Sequence, residues 1–205
     1  MEHNANQVRL RGALAGAPQF SHENHGKQFY RFYLEVPRLS GAVDVLPILA
    51  EQSLLAASPV EQAQWITVTG QIRSHNLRAD GRRHLLIFVF AASVTCEDGE
   101  PVNEVNLEGF LCREPTYRRT PLGREICDAM LAVPRAFQRA DYLPCILWGR
   151  MAQEAALCHT RDKISISGRL QSRIYTKLTE TGPEERTAYE ISALTADFPQ
   201  ELPEF

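Results

Sequence analysis

The chain has 205 residues, of which 44% are hydrophobic and 23% charged, and its formal net charge is −3. That balance fits a globular protein of one or two domains and excludes intrinsic disorder. There is no surplus of basic residues to announce a polyanionic partner. The longest apolar run, 85–92, is far short of the ~18 residues a membrane span needs, so no membrane association is expected. The start, Met1-Glu2-His3-Asn4, lacks a basic segment followed by an apolar one, and no signal peptide is expected. Five cysteines (96, 112, 127, 145 and 158) form an odd set without C-x-x-C, which fits reduced thiols in a cytoplasmic protein.

In chain order, Val8, Leu10, Gly12 and Leu14 alternate with Arg9, Arg11 and Ala13, the period of a half-buried strand. Strands follow near 28–36 and 44–50, a helix rich in Ala, Leu and Gln over 53–64, then strands near 65–75 and 84–94. A polar, turn-rich stretch, Glu97-Asp98-Gly99-Glu100-Pro101, comes next. Beyond it the pattern returns. Asn6, Val8, Leu10, Gly12, Leu14 and Pro18 reappear as Asn103, Val105, Leu107, Gly109, Leu111 and Pro115, a constant 97 positions later. The same offset carries Val36-Pro37-Arg38 to Val133-Pro134-Arg135, Asp44 to Asp141 and Pro47 to Pro144. It becomes 98 where Val68-Thr69-Gly70 faces Ile166-Ser167-Gly168. The second set of strands is therefore expected near 124–133, 143–149, 163–173 and 187–197, with a helix over 150–159.

The chain reads as a tandem duplication. Residues 1–98 form one domain, 99–198 a second, and 199–205 a short acidic tail. Five strands with a helix between the third and fourth is the order of the OB-fold, a five-stranded Greek-key barrel. The predicted class is all-β, two such barrels in tandem. Gly12, Gly109, Gly70 and Gly168 fall inside strands, where a barrel bends sharply and a Cβ obstructs.

The second repeat resembles the bacterial single-stranded DNA-binding protein family. The resemblance rests on Asn103-x-Val105-x-Leu107-x-Gly109-x-Leu111-x-x-x-Pro115, Thr120-Pro121-Leu122-Gly123 and Leu131-Ala132-Val133. It continues through Asp141-Tyr142-x-Pro144-Cys145-Ile146-Leu147-Trp148-Gly149-Arg150-x-Ala152 and Gly168-Arg169-Leu170-Gln171-Ser172-Arg173-x-Tyr175. It implies sequence-independent single-stranded DNA binding in replication, recombination or repair, by stacking on aromatic rings and by phosphate contacts. By motif alignment the stacking positions are Phe137, Tyr142, Trp148 and Tyr175, the last in a polar hairpin after the fourth strand. The cations placed for phosphate are Arg113, Arg118, Arg119 and Arg124, along the first strand and the following loop, with Arg135, Arg150, Arg169 and Arg173.

The first repeat resembles the family only through its duplicate. Its residues at the four stacking positions are Ser40, Val45, Glu51 and Leu77, none aromatic. The second barrel is therefore expected to bind, and the first to serve in oligomer pairing or to use a different face. Trp65 aligns with Lys163 and reads as a packing residue.

Because the family commonly assembles four barrels, the resemblance implies a homodimer. Its members often end in an acidic tip that recruits replication or repair proteins, which here places Glu204 and Phe205 as a partner-binding tail. The implied location is cytoplasmic, at the nucleoid. No nucleotide-binding, zinc-protease or nucleophile-elbow motif is present, so catalysis, metal and cofactor are not expected. His22 and His25 read as exposed loop residues, and Cys112, Cys127 and Cys145 as small core residues. A competing reading is an OB-fold adaptor in a replication or mobile-element assembly with weak nucleic-acid binding; an RNA-binding barrel is a third.

Overall fold

The first strand sets the pattern for the rest: in the computed structural model, Val8, Leu10 and Leu14 are buried while Gln7 and Arg9 face outward. The structure describes residues 5–58, 61, 64–79, 82–179 and 182–199. The first repeat contains β1 (Asn6–Leu14), β2 (Gln19–Asn24), β3 (Lys27–Pro37), β4 (Val43–Glu51), α1 (Gln52–Ala57), β5 (Trp65–Ala79) and β6 (Arg82–Cys96). The second contains β7 (Val102–Leu111), β8 (Thr116–Arg119), β9 (Glu125–Arg135), β10 (Arg139–Trp148), α2 (Arg150–Ala155), β11 (Lys163–Thr179) and β12 (Gly182–Asp197). No described helix is long and apolar enough to cross a membrane.

The chain divides into two units. The N-terminal unit comprises Gln7–Glu104 together with Leu170–Glu190, and the C-terminal unit comprises 105–169 with 5–6 and 191–199. The far part of the β11–β12 hairpin thus folds with the first repeat.

Each unit is an OB barrel. In the N-terminal unit the strands run β2-β3-β4-β6-β5-β1, and β1 closes the barrel by pairing with β3 as well (Ala13 opposite Glu35, Leu14 opposite Leu34). Leu10, Leu34, Leu46, Ile48, Ile66 and Ile72 fill its core. In the C-terminal unit β8-β9-β10-β12-β11-β7 repeats the order, and β7 closes on β9. Its core is built on Leu111, Leu131, Leu143, Leu147 and Ile164. At the closing crossings the backbones approach so nearly that only glycine fits. A Cβ on Gly12 would run into the Glu35 carbonyl, and one on Gly109 would stand 2.8 Å from the Ala132 oxygen.

Three expectations are corrected. β2 and β8 are strands, not loops; both are wholly exposed, so no apolar alternation marks them, and ladder bonds to β3 and β9 hold them. The described helices are shorter than expected. Ser58 ends α1 just before Pro59, whose ring disfavours a helical residue ahead of it. After α2, Leu157 and Cys158 donate to carbonyls three residues back, a tighter turn. Finally, the last two strands of each barrel are longer than the apolar pattern indicates, so Tyr175 lies within β11 rather than in a loop.

Candidate nucleic-acid interface

On β10 the alternation separates two faces. Asp141, Leu143, Cys145 and Leu147 point into the barrel and are at most 1% exposed. Tyr142, Pro144, Ile146 and Trp148 therefore share the outer face. Trp148 is half-buried, and its indole N–H donates to Ser192 Oγ at 3.1 Å, so one ring edge is tethered on the outside of the barrel. Tyr142 is 43% exposed, and six residues of strand put it roughly 20 Å from Trp148.

The neighbouring strands extend this face. Ile126, Asp128, Met130 and Ala132 on β9 lie directly opposite Trp148, Ile146, Pro144 and Tyr142. Arg118 on β8 pairs with Ile126, which puts it in the same row as Trp148, two strand spacings or about 10 Å away. On β7, Phe110 pairs with Ala132, so Phe110, Ala132 and Tyr142 form one row with a small residue between two exposed rings. Lys163 on β11 continues that row beside Phe110. Motif matching passes over Phe110; yet the alternation that buries Val105, Leu107 and Leu111 turns it outward. Phe137 is 94% exposed at the tip of the β9–β10 turn. Phe137 and Gln138 have φ of 60° and 54°, so two successive non-glycine residues hold left-handed backbone there.

The arginines divide by their partners. Arg118 makes a two-pronged ion pair with Asp128 (2.6 and 3.2 Å). Arg119 lies on the opposite face, where it meets Glu125 at 3.0 Å. The Tyr117 hydroxyl, then the Gln153 amide, then Arg119 hold the Glu125 carboxyl below the usual carboxylate range. Arg150 pairs with Glu154 at 2.8 Å along α2. Arg135 lies 3.5 Å from Asp141, whose carboxylate is buried. Arg169 has a buried Nε without an acceptor among the described residues. Arg113 and Arg124 are exposed and carry no ion pair among the described residues.

The remaining two predicted contacts, Arg173 and Tyr175, belong to the N-terminal unit. The Arg173 guanidinium stands 5.7 Å from the Tyr175 ring centroid, within cation–π range, and 3.7 Å from Glu190. Tyr175 is 38% exposed.

In the same unit Glu51 stands opposite Phe29 as Trp148 stands opposite Ile126, and it is tied to Lys27 at 2.9 Å. Aromatic mass is still present around it, displaced onto neighbouring strands: His22 stacks on Phe29 (5.0 Å, 13°), and Phe90 lies 5.9 Å beyond. His22 is thus an exposed strand residue, not a loop residue. Trp65 is half-buried opposite Ala13, the place Lys163 takes opposite Phe110.

Cys127, Cys145 and Cys158 are buried, and desolvation raises all three thiols, Cys127 to about 11. Cys112 is exposed, against expectation, because β7 ends at Leu111 and the next residue leaves the core. Glu204 and Phe205 lie outside the described residues.

The model of the single-strand binding protein family matches residues 102–199. A relative named single-stranded DNA-binding protein B, from Bacillus subtilis, is 38% identical over 80 residues, covering 36% of this chain and 71% of its own length. A Clostridium acetobutylicum relative, single-stranded DNA-binding protein 3, is 36% identical over 81 residues, and the match spans 56% of it. Among solved structures, the wild-type single-stranded DNA binding protein from Thermus aquaticus superposes with a TM-score of 0.78 at 23% identity, covering 98% of this chain and 95% of that one, a likeness of fold. The motif run through the second repeat and these matches agree: the chain belongs to the single-strand binding protein family.

Proposed function

We propose that the protein binds single-stranded DNA without regard to sequence, with the outer face of β8, β9, β10 and β7 as its principal platform. The observation that carries this is the placement of Tyr142 and Trp148 on the outer side of β10, with Phe110 in the Tyr142 row and Phe137 at the turn. Rings on a barrel's outer face can stack on successive bases, and every base presents a π-face, so such binding tolerates any sequence. Arg113, Arg124 and Arg169 are the cations best placed to take phosphates. Arg118, Arg119, Arg135, Arg150 and Arg173 must first give up or share a carboxylate. The names of the relatives support the ligand. A homodimer of four barrels acting in replication, recombination or repair, with Glu204 and Phe205 recruiting other proteins of those processes, completes the reading.

The test is the fluorescence of Trp148 in a Trp65→Phe background. Quenching on addition of oligo(dT), with affinity falling as salt rises, is the expected result. Unchanged emission together with no binding at low salt removes the reading. A second reading, an adaptor with weak nucleic-acid affinity, draws on the number of arginines already paired with acids. An adaptor would lose a protein partner on deletion of 201–205 while its DNA affinity stayed the same.

A further inference from the structure

Ser172 is held on all its polar groups by the first repeat, although it belongs by chain order to the second. Its backbone N–H donates to Asp44 Oδ1 at 2.7 Å, and its hydroxyl donates to the same oxygen at 3.3 Å. Its hydroxyl also accepts from the Val45 N–H at 3.1 Å, and its carbonyl accepts from Arg38 Nη2 at 3.1 Å. Asp44 is 1% exposed. Arg38 grips its carboxylate through both Nη2 and Nε, the latter at 2.7 Å. Hydrogen bonds to a buried, charge-paired carboxylate are stronger and more directional than neutral ones. Two residues earlier, the Asn103 side chain bonds both the N–H and the C=O of Leu170 (2.9 and 2.7 Å). β11 is therefore pinned at 170 and 172, just before it presents Arg173 and Tyr175.

The first repeat holds no aromatic at the four aligned stacking positions. One of these positions, Val45, uses its backbone N–H for the Ser172 clasp. We infer that the first repeat's contribution to binding is positional: Asp44, braced by Arg38, clasps Ser172 and fixes the direction in which the β11–β12 arm offers Tyr175 to a nucleotide. This rests on the DNA-binding reading above. Asp44 and Ser172 are positioning residues; Tyr175, with Arg173 against its ring, makes the contact.

The experiment is a set of oligo(dT) titrations of the full chain. Ser172→Ala, which removes one hydroxyl and leaves the buried ion pair intact, is measured in wild-type, Tyr175→Ala and Trp148→Ala backgrounds, and Asp44→Asn is measured alongside. Ser172→Ala is expected to weaken binding about three- to tenfold in the wild-type and Trp148→Ala backgrounds, and less than twofold once Tyr175 is absent. Asp44→Asn should show the same dependence on Tyr175 with a larger loss. Ser172→Ala is the decisive arm if Asp44→Asn fails to fold. An equal loss in all three backgrounds, or none in wild type, overturns the inference while leaving DNA binding in place. Absence of wild-type binding removes the underlying reading and the inference with it.

Discussion

Trp148 and Glu51 occupy the same register point of two sister barrels: each ends its strand opposite the first hydrophobic residue of the preceding strand, Ile126 in one case and Phe29 in the other. The indole is tethered to Ser192, whereas the carboxylate is tethered to Lys27 and to Ser53. Lys27 and then Ser53 hold the Glu51 carboxyl below its usual range, so it stays anionic at neutral pH. A ring at this point can hold a base, and an anion repels a phosphate.

Trp148→Ala should therefore cost roughly 1–3 kcal/mol of binding free energy, about five- to 150-fold in Kd for oligo(dT). Glu51→Gln should leave Kd within about twofold or tighten it slightly. Equal losses from the two changes would contradict the assignment of the platform to the second barrel.

Phe110 shares a row with Tyr142 across Ala132. Phe110→Ala should weaken oligo(dT) binding by roughly 1 kcal/mol or more, with no change in the urea midpoint beyond that of an exposed site. If affinity is unchanged, the platform ends at β9.

With most candidate arginines engaged by Asp128, Glu125, Asp141, Glu154 and Glu190, three carry no ion pair among the described residues and would take phosphates at no cost in broken pairs. The plot of log K against log salt should then have a slope of roughly −2, from about 0.7 per phosphate neutralised on a single strand. A slope of −5 or steeper would mean that the intramolecular pairs open on binding.

The buried thiols give a pH signature. Cys127 rises from 9.0 to about 11 through desolvation, then through Asp128 and Cys158. A group whose pKa is raised by folding stabilises the fold fully below its unfolded value and loses that contribution as pH climbs to the folded value. Stability should accordingly decline between about pH 9 and pH 11. In native protein at pH 8, Cys96 and Cys112 should react with a thiol reagent while Cys127, Cys145 and Cys158 wait for unfolding.

Gly109→Ala tests the barrel closure. The new Cβ would meet the backbone carbonyl of Ala132 at 2.8 Å, and backbone there cannot move without opening the β7–β9 crossing. A loss of about 1–3 kcal/mol in urea unfolding is expected. An unchanged midpoint would show that the crossing relaxes freely.

Much of this was legible in the residue order alone. A repeat with constant offset places Asp44 over Asp141 and Gly12 over Gly109, and both pairs occupy matching places in their barrels. Period-two alternation marks the strands that have a buried side, because water drives every second residue inward. β2 and β8 have no buried side, and their existence depends on unpaired ladder groups offered by β3 and β9.

Partnership was decided only by the folded chain. No local pattern reveals that Arg118 is claimed by Asp128, or that Ser172, 128 positions from Asp44, is bonded to it. Charge and hydrogen bonding act over a few ångströms in space regardless of distance along the chain, so which arginines are paired with acids and which residues hold β11 at Ser172 follow from the register of the barrels, while the two-barrel plan was already written in the repeat.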